Sequence, residues 1–76
     1  PEQALTQKQA RARIAALVDA LPERQREALT LCAFEGMGNI EAADTMGVSV
    51  EALESLLARA RRKLRLGLAG ESGASM

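Results

Sequence analysis

Five cationic side chains lie within the seven residues 59–65. They are Arg59, Arg61, Arg62, Lys63 and Arg65. Arginine and lysine side chains bind phosphate oxygens, and an arginine can also donate two hydrogen bonds to the edge of a guanine. Residues of these types at this density therefore indicate contact with a nucleic acid.

The net charge of the chain gives no indication of this cationic segment, because ten basic and ten acidic residues give a formal net charge of zero. Residues 14–54 contain eight acids and two arginines, whereas residues 59–65 contain five bases and no acid. A local patch, rather than the net charge, is the electrostatic footprint of a DNA-binding protein. The segregated charge is therefore compatible with DNA binding.

An amphipathic helix over about residues 49–67 is expected to carry these cations. Ser49 is a favourable N-cap, and Glu51 lies in the first turn, where the helix dipole favours an anion. With about 100° per residue, one stripe of this helix is apolar, with Leu56 at its edge. The stripe comprises Val50, Leu53, Leu57, Ala60 and Leu64. The opposite side comprises Glu51, Ser55, Ala58, Arg59 and Arg62.

A shorter helix is predicted just upstream, at residues 39–46. Its apolar side comprises Ile40, Ala43 and Met46, and Gly47 ends it. The corner at residues 47–49 then leads into the basic helix. Two helices joined by a turn of about three residues that contains Gly form a helix-turn-helix, whose second helix can lie in the DNA major groove. The sequence thus predicts a DNA-reading unit.

Two further helices are predicted at about residues 7–20 and 22–35. Thr6 and Gln9 have the spacing of a capping box at the start of the first. Pro22 suits the first position of the second, whose apolar face comprises Ala28, Leu29, Leu31, Cys32 and Phe34. Residues 70–76 have few side chains to bury and are predicted to form a disordered tail, which leaves one helical domain over residues 1–69.

Composition supports a single all-α domain and gives no sign of an enzyme. The 76 residues are 47% hydrophobic and include one aromatic side chain, which favours a helical core over a sheet. The chain has no histidine and one cysteine, Cys32, so no catalytic, metal or cofactor site is predicted. No segment has the length of a membrane span. A cytoplasmic protein without a membrane partner is expected.

Five short segments carry a resemblance to a known family. They are residues 21–29 (LPERQREAL), 35–36 (EG), 41–43 (EAA), 47–50 (GVSV) and 58–64 (ARARRKL). In this order and spacing, the set resembles region 4 of sigma-70-family initiation factors. The subtype most resembled is the extracytoplasmic-function (ECF) group of alternative sigma factors.

The resemblance implies a small four-helix domain that contains a helix-turn-helix and is winged-helix-like without a wing. It implies that the helix-turn-helix binds the −35 promoter element as double-stranded DNA. It also implies that another face docks on the β flap of the RNA polymerase core. An anti-sigma factor is a further partner that the family suggests, and catalysis by the chain itself is not implied.

A candidate DNA-binding set can be carried over by position in the family's motif. It comprises Ser49, Glu51, Glu54, Ser55, Ala58, Arg59, Arg61, Arg62 and Lys63. Arg59 is suited to a guanine, Glu54 to the amino group of a cytosine, and Ala58 to a thymine methyl group. Arg62 and Lys63, together with Arg61 and the first amides of the helix, are suited to phosphates.

The chain also departs from the usual pattern of the family. Glu54 and Leu56 stand where the recognition helix usually carries bases, and residues 38–39 (GN) replace the usual Ser-Tyr. Ile40 stands where an acid is common, and Ala42 replaces the usual Ile. Because Glu54 reverses the usual charge, a −35 preference different from that of relatives with a base there is expected if this residue faces the groove.

Two other function classes fit the same residues. A sigma-like interaction module would keep the fold and bind an anti-sigma protein without reading DNA, which Glu54 and the zero net charge allow. The helix-turn-helix output domain of a response regulator shares the local pattern, although the basic ending at residues 59–65 favours the sigma family. The cations also suit simple solvation of a helix end.

Overall fold

The computed structural model describes the backbone of residues 2–74 and the side chains of residues 8–69. This part of the chain is all-α and contains no strand, as the composition predicts. Its helices are α1 (Glu2–Asp19), α2 (Glu23–Leu29), α3 (Asn39–Met46) and α4 (Val50–Ala74). A π-helical turn, Thr30–Phe34, continues α2.

The second predicted helix differs from the expectation at both ends. Pro22 is the N-cap of α2, with φ −54° and ψ 147°, rather than its first helical residue. The α-helix gives way at Thr30 to a π-helical turn, in which the amide of Glu35 donates to the carbonyl of Thr30 at 3.0 Å. Gly36, at φ 75°, ends this turn in the left-handed conformation.

The turn between α3 and α4 is closed by backbone hydrogen bonds. Helix α3 spans the same residues that the sequence predicts, and Gly47 ends it at φ 69°. The Gly47 amide donates to the Asp44 carbonyl at 3.1 Å, and the Val48 amide donates to the Ala43 carbonyl at 3.0 Å. This pair of bonds is a Schellman motif, which satisfies the last carbonyls of α3 and directs the chain into α4.

Helix α4 is the central element, since it packs against α1, α2 and α3. The buried core comprises Val18, Leu21, Ala28, Leu29, Leu31, Ala42, Ala43, Leu53, Leu57 and Ala60. The apolar stripe predicted for α4 lies on this core, with Leu53 fully buried and Leu56 half-buried at the edge. Between α1 and α2, the guanidinium of Arg26 donates to the Asp19 carbonyl at 3.1 Å.

Two apolar side chains expected to face the core do not. Ile40 is 77% exposed, and the buried residues of α3 are Ala43, as predicted, and Ala42. Phe34 is 65% exposed at the end of the π-helical turn. Because a π-helical turn bonds each amide to the carbonyl five residues back, it changes which side chains face the core relative to a continuous α-helix.

The first and last helices are longer than predicted. Helix α1 begins at Glu2, so Thr6 lies within the helix and the expected capping box does not start it. Helix α4 continues to Ala74, so residues 70–74 are helical and not a disordered tail. Extending an existing helix by one residue costs far less than nucleating a new one. Residues 75–76 of the predicted tail lie outside the described residues.

Helices α1 and α4 approach closely at Gly67. A Cβ atom added to Gly67 would lie 2.6 Å from Cδ2 of Leu17, so the Leu17 side chain packs directly over the glycine. Leu17 is half-buried there. The end of α4 thus packs against α1, beyond the segment that carries the cations.

Candidate nucleic-acid interface

Helix α4 begins at a side-chain cap. The Ser49 hydroxyl accepts a hydrogen bond from the Ala52 amide at 3.0 Å, and the Ser49 carbonyl accepts one from the Leu53 amide at 2.9 Å. This geometry confirms the N-cap predicted for Ser49. The other amides of the first turn have no partner within the helix, and the helix dipole makes this end favourable for an anion.

The exposed side of α4 presents one row of candidate residues. Glu51, Ser55, Ala58 and Arg62 are all exposed and follow one another at spacings of four, three and four residues. Residues at these spacings lie on one face of a helix. The row is about 16 Å long, because each helical residue rises about 1.5 Å. The side chains of the row are small or acidic in its first part and cationic at its end.

The cations of α4 are distributed around this row rather than gathered on one side. Arg59, Arg61, Arg62 and Lys63 are all exposed. At about 100° per residue, Arg61 and Lys63 lie on opposite flanks, each about 100° from Arg62. Arg59 lies on the same flank as Lys63, one helical turn earlier. A helix with cations on both flanks and at its centre matches a groove that has phosphates along both edges.

Glu54 lies on the flank of the row, next to the start of α3. Its Oε2 accepts a hydrogen bond from Nδ2 of Asn39 at 3.4 Å. Oδ1 of Asn39 in turn lies 4.0 Å from Sγ of Cys32, a distance at which a thiol donates weakly. Gly38 is the N-cap of α3, so Asn39 is the first residue of that helix. The contact between Asn39 and Glu54 was missed, since no local pattern joins residues 15 apart.

A second surface shares none of these residues. It is an apolar groove of about 530 Å³ between α1 and the π-helical turn, called the α1 groove below. Its lining comprises Arg11, Ile14, Ala15, Val18, Asp19 and Phe34. The exposed aromatic ring of Phe34 and the partly exposed Ile14 are the large apolar side chains there. Exposed apolar surface of this kind is typical of protein contacts.

The described part of the chain has neither a cluster of metal ligands nor a helix that could span a membrane. Residues 8–69 bring together no group of three acidic, cysteine or histidine side chains able to hold a metal ion. Within the helical backbone described above, no helix combines the length and hydropathy needed to cross a bilayer.

Comparison with known proteins matches the chain to one family. A model of the family described as Sigma-70, region 4 matches residues 11–64. RNA polymerase sigma factor CnrH of Cupriavidus metallidurans is 39% identical over 72 residues, which are 95% of this chain and 38% of that protein.

Two relatives from other organisms give similar figures. ECF RNA polymerase sigma factor SigE of Mycolicibacterium smegmatis is 36% identical over 95% of this chain and 28% of its own length. RNA polymerase sigma factor SigZ of Bacillus subtilis is 36% identical over 83% of this chain and 36% of its own length. The chain thus spans well under half the length of each of these relatives.

Proposed function

The chain belongs to the sigma-70 family as a region 4 domain of ECF type, and on this premise we propose that α4 binds the −35 element of promoter DNA. The observation that carries the proposal is the exposed side of α4, a capped helix with cations at its centre and on both flanks. The Schellman turn from α3 orients this helix as the second helix of a helix-turn-helix. Promoter-directed initiation by RNA polymerase follows as the role of the complete factor.

Within this proposal, the two halves of α4 have different tasks. The first half, with Glu54, Ser55, Ala58 and Arg59, faces base edges in the major groove. The second half, with Arg61, Arg62 and Lys63, contacts phosphates on both sides of the groove. Ser49 caps the first turn and Glu51 lies within it, and the amides of this turn are available to a further phosphate.

We also propose that the α1 groove docks on the β flap of RNA polymerase. The groove shares no residue with the candidate DNA-binding set, so both partners can be bound at once. Its exposed aromatic and aliphatic side chains suit an apolar partner segment, and Arg11 and Asp19 in its lining suit polar contacts.

A salt titration tests the DNA proposal. Fluorescence anisotropy with a duplex carrying the −35 element should give a binding constant whose logarithm falls linearly with log salt. The slope is about −0.9 for each neutralised phosphate, so three to five contacts give about −3 to −5. Absence of binding at low salt across a randomised duplex library would contradict the proposal.

The same titration separates a second candidate function. Glu51 and Glu54 are both exposed on the first two turns of α4, where they repel phosphate. This observation favours a sigma-like module that binds an anti-sigma protein without reading DNA. Such a module would bind no duplex at any salt concentration and would still bind its protein partner.

A further inference from the structure

We propose that Asn39 is a positioning residue that fixes Glu54 as a reader of one base, with a preference for cytosine. The inference rests on the proposed function, since it needs α4 to lie in the major groove. Asn39 is the first residue of α3, and Glu54 lies on α4 beyond the helix-turn-helix corner. The hydrogen bond between their side chains, at 3.4 Å, therefore joins the two helices of the DNA-reading unit.

The orientation of the Asn39 amide follows from its neighbours. A carboxylate has only acceptor atoms, so the amide must turn its NH₂ group towards Glu54. Its oxygen then lies on the side of Cys32, where the thiol is a weak donor at 4.0 Å. Turning the amide around would place an oxygen against the carboxylate and leave the thiol opposite two donor hydrogens. Both neighbours therefore favour the same orientation.

This arrangement occupies one carboxylate oxygen of Glu54 and leaves the other for DNA. Oε2 accepts from Asn39, while Oε1 keeps its capacity to accept. In the major groove a carboxylate can accept from the amino group of cytosine, whereas the exposed edge of guanine presents only acceptors, which repel it. A carboxylate held by a neighbour also loses less side-chain freedom on binding than an unrestrained one. Asn39 thereby sharpens the preference of Glu54.

The experiment is a selection of duplexes from a library randomised across the −35 element, carried out with the 76-residue chain. For the unaltered chain we expect cytosine to be favoured at one position by about tenfold. Asn39→Asp keeps the shape of the side chain but replaces the donor with a second carboxylate. It should reduce the preference at that position severalfold, while the other positions and the salt slope stay unchanged.

Glu54→Gln provides the matched comparison, because glutamine pairs with adenine through two hydrogen bonds. We expect this variant to shift the preference from cytosine to adenine at the same position. Asn39→Ala, which removes the amide altogether, should weaken the cytosine preference as Asn39→Asp does, so the inference does not depend on one variant. Circular dichroism should show native helix content for each variant, because both residues are exposed.

The outcomes distinguish this inference from the function on which it rests. A profile changed by Glu54→Gln but not by either Asn39 variant would overturn the positioning role of Asn39. A profile unchanged by Glu54→Gln would overturn base reading by Glu54, while salt-dependent duplex binding would still support the proposed function. If the unaltered chain bound no duplex, the proposed function and the inference would both fail.

Discussion

Arg59 and Arg62 differ in their place on α4 although both are exposed arginines. Arg62 lies about 180° from the fully buried Leu53, at the centre of the exposed side. Arg59 lies on one flank, closer to the half of the helix proposed to face bases. Because base contacts specify sequence and phosphate contacts do not, the two residues should affect binding in different ways.

We expect Arg59→Ala to reduce discrimination at one base position by about 1–3 kcal/mol. Arg62→Ala should instead weaken binding to all duplexes equally and make the salt slope shallower by about 0.9. Binding constants for matched and single-mismatch duplexes at several salt concentrations measure both effects. Arg24→Ala, which removes an exposed arginine from α2, is the charge-matched control. Identical effects of the Arg59 and Arg62 variants would contradict the division of α4 into two halves.

Sequence reasoning at the residue scale identified the exposed cations and the Ser49 cap, because each depends only on neighbours along one helix. It left open whether Glu54 faces the groove. The structure adds the contact between Asn39 and Glu54, which forms only after α3 and α4 have packed together. A contact of this kind has no periodic signal in the sequence.

At the scale of the elements, the corner between α3 and α4 determines how α4 is oriented relative to α3. Gly47 adopts a left-handed conformation there, at φ 69°, and an added Cβ would meet nothing within 4 Å. The cost of substituting Gly47 is therefore conformational and not steric. The loss of stability caused by each substitution at Gly47 should depend only on how readily the new residue adopts the left-handed conformation.

Gly47→Ala should lower the free energy of unfolding by about 1–2 kcal/mol, the usual cost of a left-handed conformation for a residue with a Cβ. Gly47→Asn should cost less, because asparagine is the common alternative to glycine at such helix ends. Urea denaturation followed by circular dichroism measures both values. An alanine variant as stable as the unaltered chain would show that the turn relaxes to another conformation.

The elements themselves were predicted to different degrees. The stripe of α4 and the bounds of α3 follow from helical periodicity and from Gly47, both of which are local. The π-helical turn at Thr30–Phe34 was not predicted, since the sequence pattern there also fits a continuous α-helix. The exposure of Phe34 and Ile40 was missed because it depends on which faces neighbouring helices cover.

At the scale of the whole molecule, the two proposed partner surfaces are built on different elements. The proposed DNA face, which is the exposed side of α4, lies on one helix, whereas the α1 groove lies between α1 and the π-helical turn. The described molecule measures 42 × 23 × 15 Å. Helix α4 has 25 residues and a length of about 37 Å, so it extends along most of the long axis.

Phe34→Ala should weaken binding to RNA polymerase core by more than about 1 kcal/mol, as expected for an aromatic anchor in an interface. DNA affinity and stability should change little, because the ring is 65% exposed and outside the DNA face. Ile40→Ala is the matched control, since Ile40 is 77% exposed but lies on α3, outside the groove. Competition binding to the core enzyme measures the effect, and equal losses for both variants would rule out the α1 groove as the docking site.

The close approach of Leu17 and Gly67 gives α4 a further consequence for the assembly of an initiation complex. The same uninterrupted helix carries the row from Glu51 to Arg62 and, five residues later, the contact of Gly67 with Leu17 of α1. Each residue between them sets a rotation of about 100° and a rise of about 1.5 Å. In the proposed complex, the number of residues from Arg62 to Gly67 would therefore set the angle between the DNA-binding side of α4 and its contact with α1, and inserting one residue there would turn one by about 100° relative to the other.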